Sequence, residues 1–181
     1  MRPIETQRLI VRPFSMADAE DTHRLIYADP RIKWGARQVD LKGVKERIRY
    51  HIDRSQQGNF FTWAVQRKED GQFIGMMPLE CELADYIVFE HAPDDPYYSI
   101  EVELGYVLGR DFWDQGYCTE AARALVDYAF NTCKLRRLVS STSWENARSR
   151  RVMVKLGCRF ERNLHPDFPN RVLGILENNL A

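Results

Sequence analysis

The run Val102-Glu103-Leu104-Gly105-Tyr106-Val107-Leu108, followed by Trp113-Asp114-Gln115-Gly116-Tyr117-Cys118-Thr119-Glu120-Ala121-Ala122, constrains this chain more than any other. It reads as an apolar strand, a glycine-bearing turn and the opening of a helix. A turn of that kind leaves several backbone N–H groups unpaired at the positive end of the helix, which suits a phosphate or diphosphate. Gly116 matters there because a side chain would obstruct the approach of an anion to the backbone.

The elements around this run alternate. Arg8 to Phe14 has the β-branched content of a strand, and Ser15 is placed to cap a helix from Met16 towards Asp29, with Asp18 in its first turn. A polar helix is expected over Leu41 to Gln56. Phe60 to Gln66 and Gln72 to Met77 read as strands joined by the turn Lys68-Glu69-Asp70-Gly71. Tyr86 to Phe89 offers a further strand, and Ala92-Pro93-Asp94-Asp95-Pro96 a turn. Ile100 to Leu108 reads as one strand and Gly116 to Cys133 as a helix, with Glu120, Arg123, Asp127, Asn131 and Lys134 on its polar stripe. A strand over Arg137 to Thr142, a helix from Asn146 to Leu156 stopped by Gly157, and strands over Cys158 to Asn163 and Val172 to Glu177 complete the chain. The order β-α-α-β-β-β-α-β-α-β-β, without repeat or linker, implies an α/β sandwich with helices on both faces of one sheet. At 181 residues a single domain over residues 1–181 is expected.

Lys plus Arg equals Asp plus Glu, 26 each, so no global field recruits nucleic acid or an acidic membrane surface. The charge is segregated nonetheless. Glu80 to Glu103 holds eight acids and no Lys or Arg, whereas Lys134 to Arg162 holds nine bases against Glu145 and Glu161. That separation suits a cationic ligand on one side and an anionic one on the other. Cys81, Cys118, Cys133 and Cys158 form no C-x-x-C pair, and the four histidines show no ligand spacing, so neither a disulfide framework nor a metal site is expected. The N-terminus lacks the apolar run of a signal peptide, and no uninterrupted apolar segment has the length of a membrane span. A cytoplasmic location is the expectation.

Three motifs in order carry a resemblance: Thr6-x-Arg8-Leu9-x-x-Arg12-Pro13 with Asp18-Ala19; Leu104 to Leu108 with Phe112-Trp113-x-x-Gly116-Tyr117-x-Thr119-Glu120-Ala121; and Asn146-x-x-Ser149-x-Arg151-Val152-x-x-Lys155-Leu156-Gly157. Over nearly its whole length the chain resembles the GNAT acetyltransferase superfamily, in its RimJ/RimL branch. The resemblance implies a three-layer α/β/α sandwich about a central mixed, mostly antiparallel sheet, and an acetyl-CoA-dependent N-acetyltransferase acting on a primary amine. It departs from the superfamily's usual diphosphate loop at Trp113, which stands for Gln or Arg, and at Cys118, which stands for Gly or Ala. Cys158 stands where an aromatic is typical.

Acetyl transfer to an amine needs a held thioester, a neutral amine, charge stabilisation at the carbonyl oxygen and protonation of the leaving thiolate. The resemblance assigns the first to the backbone of Gln115, Gly116, Tyr117, Cys118 and Thr119. It assigns the third to backbone groups of Tyr106, Val107 and Leu108, where a preorganised N–H faces the developing oxyanion. Glu103 is the candidate base for the amine, with Glu101, on the same strand face by period two, in reserve. Paired there, the two carboxylates would also attract a cationic amine. The branch offers Ser149 as the thiolate's proton donor, and Asn146 shares its helix face as a contact for the pantetheine arm. Asn146 reads equally as a helix cap and Ser149 as a packing residue. Cys118, near a helix N-terminus, invites the thought of an activated thiolate and an acetyl-cysteine route.

The segment from 79 to 98, with Tyr86, Phe89, Tyr97 and Tyr98 among its acids, is the expected acceptor wall, facing a peptide N-terminus or a small amine. Transfer of another acyl group such as succinyl, or an idle acyl-CoA-sensing module, are the alternatives. The protein is expected to act as a monomer or homodimer.

Overall fold

In the computed structural model, residues 2–32, 34, 39–92 and 94–178 are described. The chain divides into two compact units, Met1–Leu79 with Tyr106–Leu125, and Glu80–Gly105 with Val126–Ala181. Among the described residues there are nine strands and four α-helices.

In the first unit, β1 (Ile4–Glu5), β2 (Leu9–Arg12), β3 (Phe61–Arg67) and β4 (Phe73–Leu83) pair antiparallel in that order, and β6 (Val107–Leu108) pairs antiparallel with β4. β1 has no counterpart in the sequence reading, because two residues are too short for any periodicity to register. The first five residues of β3 and of β4 are all buried, the pattern of strands covered on both faces. Phe61 and Trp63 stack at 4.5 Å, and Leu9, Val11, Val44, Ile48 and Ile74 are buried as well. The predicted helix after Ser15 is three joined pieces: a 3-10 turn over Met16–Asp18, α1 (Ala19–Thr22) and a π turn over His23–Tyr27. Its acid, Asp18, is buried and clamped by both Nη atoms of Arg12 at 2.7 and 2.8 Å. The motif Arg12-Pro13 to Asp18-Ala19 is thus a structural ion pair tying β2 to the helix. α2 (Leu41–Gln57) is capped by the Asp40 carboxylate, which accepts from the Gly43 amide at 2.8 Å, and packs on β3.

In the second unit, β5 (Ile100–Leu104) runs parallel to β7 (Arg137–Ser143), and β9 (Arg171–Glu177) pairs antiparallel with both β7 and β8 (Arg159–Arg162). α4 (Ala147–Leu156) packs on β7 and β9 and ends at Gly157 in the left-handed conformation. α3 (Tyr117–Asp127), which belongs to the first unit as far as Leu125, continues into a π turn over Tyr128–Thr132, matching the helix expected from Gly116 to Cys133.

Two expectations are corrected. The single strand over Ile100 to Leu108 is two, ending at Leu104 and resuming at Val107; β6 pairs with β4, and β5 lies between β4 and β7. Tyr86 to Phe89 is not a strand but an extended loop with one isolated bridge, Phe89 to Asn163. Its backbone is satisfied by the buried Asn163 side chain, which accepts from the Val88 amide at 2.9 Å and donates to the Tyr86 carbonyl at 2.8 Å. Ala84, Ile87 and Phe89 join Val139, Leu173 and Ile175 in the core of this unit, so Phe89 does not belong to an exposed acceptor wall. Pro93 of the predicted turn lies outside the described residues.

Candidate active site

β6 is fixed by an unusually close approach. A Cβ on Gly75 would stand 2.4 Å from the Val107 carbonyl oxygen and 2.8 Å from the Leu108 Cα, so only glycine lets β4 meet β6 here. The Gly109 amide donates to the Ile74 carbonyl at 2.9 Å, and the register pairs Gly75 with Leu108 and Met76 with Val107. Antiparallel alternation then turns the backbone groups of Val107 towards Met76 and those of Leu108 to the opposite edge. The Leu108 carbonyl accepts from the Trp113 indole at 2.8 Å, which gives Trp113 a structural task in setting the loop.

After a 3-10 turn over Arg110–Phe112, the backbone enters the left-handed region twice, at Asp114 (φ 57°) and Gly116 (φ 84°). This double reversal brings the chain into α3 with the Gly116 carbonyl as the first intrahelical acceptor, taken by the Glu120 amide at 3.0 Å. The amides of Tyr117, Cys118 and Thr119 therefore head the helix ahead of its first i→i−4 bond. Gln115 folds its side chain back onto the Asp111 carbonyl at 2.7 Å. An amide-lined helix start behind a left-handed glycine fits a diphosphate chemically. Burial pushes the Cys118 thiol up to about 12, so it is a neutral packing group and not the thiolate an acetyl-cysteine route requires.

In the second unit, Glu103 is half-buried and accepts a hydrogen bond from the Tyr86 hydroxyl at 2.7 Å. Burial first, and then the Glu103 charge, push that hydroxyl well above its ordinary range, so Tyr86 is the donor. Nothing in the sequence paired Tyr86 with Glu103; both lay in the acidic stretch, but their contact depends on the loop that Asn163 holds. Glu101 fares differently from its expected role. It is buried, held by the Arg137 guanidinium through two bonds and by the Ser99 hydroxyl at 2.7 Å. A carboxylate bound to a guanidinium and a hydroxyl in this way is a structural ion pair, and Glu101 is not presented as the reserve base. Acidity is supplied instead by neighbours on β4 and the loop after it: partial burial, followed by the charges of Glu80 and Glu103, raises the Glu82 carboxyl.

Asn146 caps α4, its Oδ1 accepting from the Ser149 amide at 3.1 Å, while Met153 on the same helix is buried. The capping reading of Asn146 is realised, and Ser149 stands in the first turn. Among the described residues no group of three or more His, Cys, Asp or Glu side chains is arranged to hold a metal, and no helix is long and apolar enough to cross a membrane.

The acetyltransferase (GNAT) domain model matches residues 8–159, a span holding the loop at Gly116, Glu103 and α4. The chain belongs to the GNAT acetyltransferase family. This GNAT chain is similar to the uncharacterized N-acetyltransferase p20 of Bacillus licheniformis, 26% identical over 164 residues covering 89% of the chain and 84% of the relative. It superposes on an acetyltransferase from Agrobacterium tumefaciens with a TM-score of 0.75, at 25% identity, over 98% of this chain and 95% of that one. The fold extends to RimL, a ribosomal-protein acetyltransferase solved in complex with coenzyme A, with a TM-score of 0.74 at 14% identity over 97% and 98% of the two chains. The chain is thus a GNAT-family acetyltransferase with the α/β mixed-sheet fold of that family, whose members use acetyl-CoA.

Proposed function

We propose that this GNAT domain, acting as one unit of function over residues 1–181, moves the acetyl group of acetyl-CoA directly to the primary amine of a cationic acceptor. The observation that carries the reading is the left-handed turn at Asp114 and Gly116, which heads α3 with the amides of Tyr117, Cys118 and Thr119. Those amides bind the diphosphate, assisted by the helix dipole. Acetyl-CoA supplies an activated thioester, and the remaining work falls to the chain's own groups.

The N–H of Leu108, on the edge of β6 away from β4, faces the thioester oxygen and stabilises its developing charge, with Tyr106 and Val107 lining the arm. Glu103 takes the proton of the incoming ammonium, directly or through water, and Tyr86 orients its carboxylate. The amine nitrogen bonds to the thioester carbon, and as the C–S bond breaks Ser149 gives its proton to the coenzyme A sulfur. Ser149 is reprotonated, through water, by the second proton that the new amide nitrogen sheds; Asn146 contacts the pantetheine amides. With burial raising the thiol at 118, an acetyl-cysteine route is disfavoured, and transfer is read as a single displacement within a ternary complex. Glu82, whose carboxyl feels the charges of Glu80, Glu103 and Asp85, stands at the centre of an acidic group that favours a positively charged acceptor such as a protein N-terminus or a polyamine.

Coenzyme A release measured across N-terminal peptides and polyamines tests this, with the product weighed by mass spectrometry. A 42 Da gain is the expected product mass for acetyl, and release should fall by about a hundredfold in Glu103→Gln, the typical worth of a general base. A succinyl-sized gain would replace the donor. Tight acetyl-CoA binding without release from any amine, unchanged by Glu103→Gln, would mark a sensor and overturn the enzymatic reading.

A further inference from the structure

One carboxylate stands where an anion-binding helix start should not want one. Glu120 lies in the first turn of α3, one residue after the amides assigned to the diphosphate. A first-turn acid suits an empty helix dipole but repels a bound anion. The Glu120 side chain is only 18% exposed, so water screens it weakly.

The turn between β1 and β2 answers that charge. Three donors from it converge on Glu120: the Thr6 hydroxyl at 2.6 Å, the Arg8 amide at 2.8 Å and the Arg8 Nε at 2.7 Å. Thr6 is itself set by the Leu9 amide, which donates to its hydroxyl oxygen at 3.0 Å. The same Arg8 guanidinium continues to the loop. Its Nη1 donates to the Gln115 carbonyl at 3.1 Å, and its plane lies over the Tyr117 ring at 4.3 Å from the centroid. Its Nη2 lies 3.3 Å from where a Cβ on Gly116 would stand. One side chain therefore touches the residue before Gly116, the space beside Gly116, the residue after it and the acid one turn in.

We propose that Arg8 is a positioning residue for the donor's diphosphate: it cancels the Glu120 charge and fixes the Gln115 carbonyl, so that the amides after Gly116 meet the anion without a competing carboxylate. The inference rests on the acetyl-CoA reading above and adds a specificity determinant more than a hundred positions away in sequence. Thr6 serves the same end through its hydroxyl. The Thr6-x-Arg8 motif is on this account part of donor binding and not only of the hairpin.

Calorimetry with two donors tests it. Acetyl-CoA carries the diphosphate; S-acetylpantetheine carries the same thioester without it. Arg8→Gln should weaken acetyl-CoA by about tenfold, the scale of a first-turn charge in a partly buried setting, and leave S-acetylpantetheine unchanged. Arg8→Gln with Glu120→Gln should regain most of that loss, because the uncompensated acid is gone. Arg8→Lys keeps the charge but loses the second donor and the stack on Tyr117, so its acetyl-CoA loss should fall between wild type and Arg8→Gln; it serves if Arg8→Gln does not fold. Equal losses on both donors, no loss on either, or a double variant no better than Arg8→Gln overturns the inference. Wild-type protein that binds neither donor removes the acetyl-CoA reading itself, a result distinct from wild-type binding that the Arg8 variants leave untouched.

Discussion

Replacing Gly75 by alanine tests whether the placement of β6 governs donor handling. The added methyl would meet the Val107 oxygen and the Leu108 Cδ2, each at 2.4 Å, and the Leu108 Cα at 2.8 Å. Ordinary carbon contacts begin near 3.5 Å, so β6 must retreat from β4 by roughly 1 Å, loosening its short ladder and the Gly109 to Ile74 bond. Overpacking of this kind costs about 1–3 kcal/mol, and β6 has only two residues of ladder to resist with, so about 2 kcal/mol is expected. For a chain of this length that lowers Tm by about 4–8 °C. Two of the three clashing atoms are backbone, and this gives a sharper test than the melting point alone. Adding Leu108→Ala removes the Cδ2 contact but neither of the others, so the double variant should not recover. Donor affinity should fall alongside, because the Leu108 N–H moves with its strand. Differential scanning calorimetry and acetyl-CoA titration provide the readouts. A Tm within 1 °C of wild type, or recovery by Leu108→Ala, would refute the close-approach argument.

Other consequences follow from the same geometry. Glu101→Gln strands the Arg137 guanidinium and should cost about 3 kcal/mol in urea unfolding, the lower end for a broken buried pair because Arg137 reaches solvent; kcat should be far less affected than by Glu103→Gln. Cys118→Ala should retain transfer and show no acetyl-enzyme burst in rapid quench, since burial holds that thiol near 12. Burial acts to raise the Glu120 carboxyl, but the Thr6 and Arg8 donors outweigh it and leave it below its ordinary value of 4.5. Its contribution to stability is therefore present above that value and lost as pH falls through the depressed one. Glu120→Gln should lower stability at neutral pH and converge on wild type as pH falls below roughly 4.5, flattening the acid limb of the stability–pH curve.

The parts legible in the sequence were those with local causes. Glycines at 71, 116 and 157 carry the positive φ that turns and caps require, and the spacing of Ala121, Leu125 and Ala129 fixes the buried face of α3 and its continuation. What escaped depends on partners distant in the chain. Period two placed Glu101 beside Glu103 on one strand face, but Arg137, 36 positions on, converts Glu101 into a structural ion pair. Tyr86 has strand-like neighbours, yet Asn163 holds that segment as a loop and so delivers the hydroxyl to Glu103. Glu120 fell on the polar stripe of its helix by spacing, and only the fold brings Arg8, 112 positions earlier, against it. The break after Leu104 was hidden because Gly105 and Tyr106 interrupt the strand without any proline or polar turn to mark it.

The most direct measurement is a crystal structure with acetyl-CoA bound. The account predicts diphosphate oxygens about 2.9 Å from the amides of Tyr117, Cys118 and Thr119, with Gly116 still left-handed. Density for the diphosphate on any other element, with those amides facing only solvent, would contradict it.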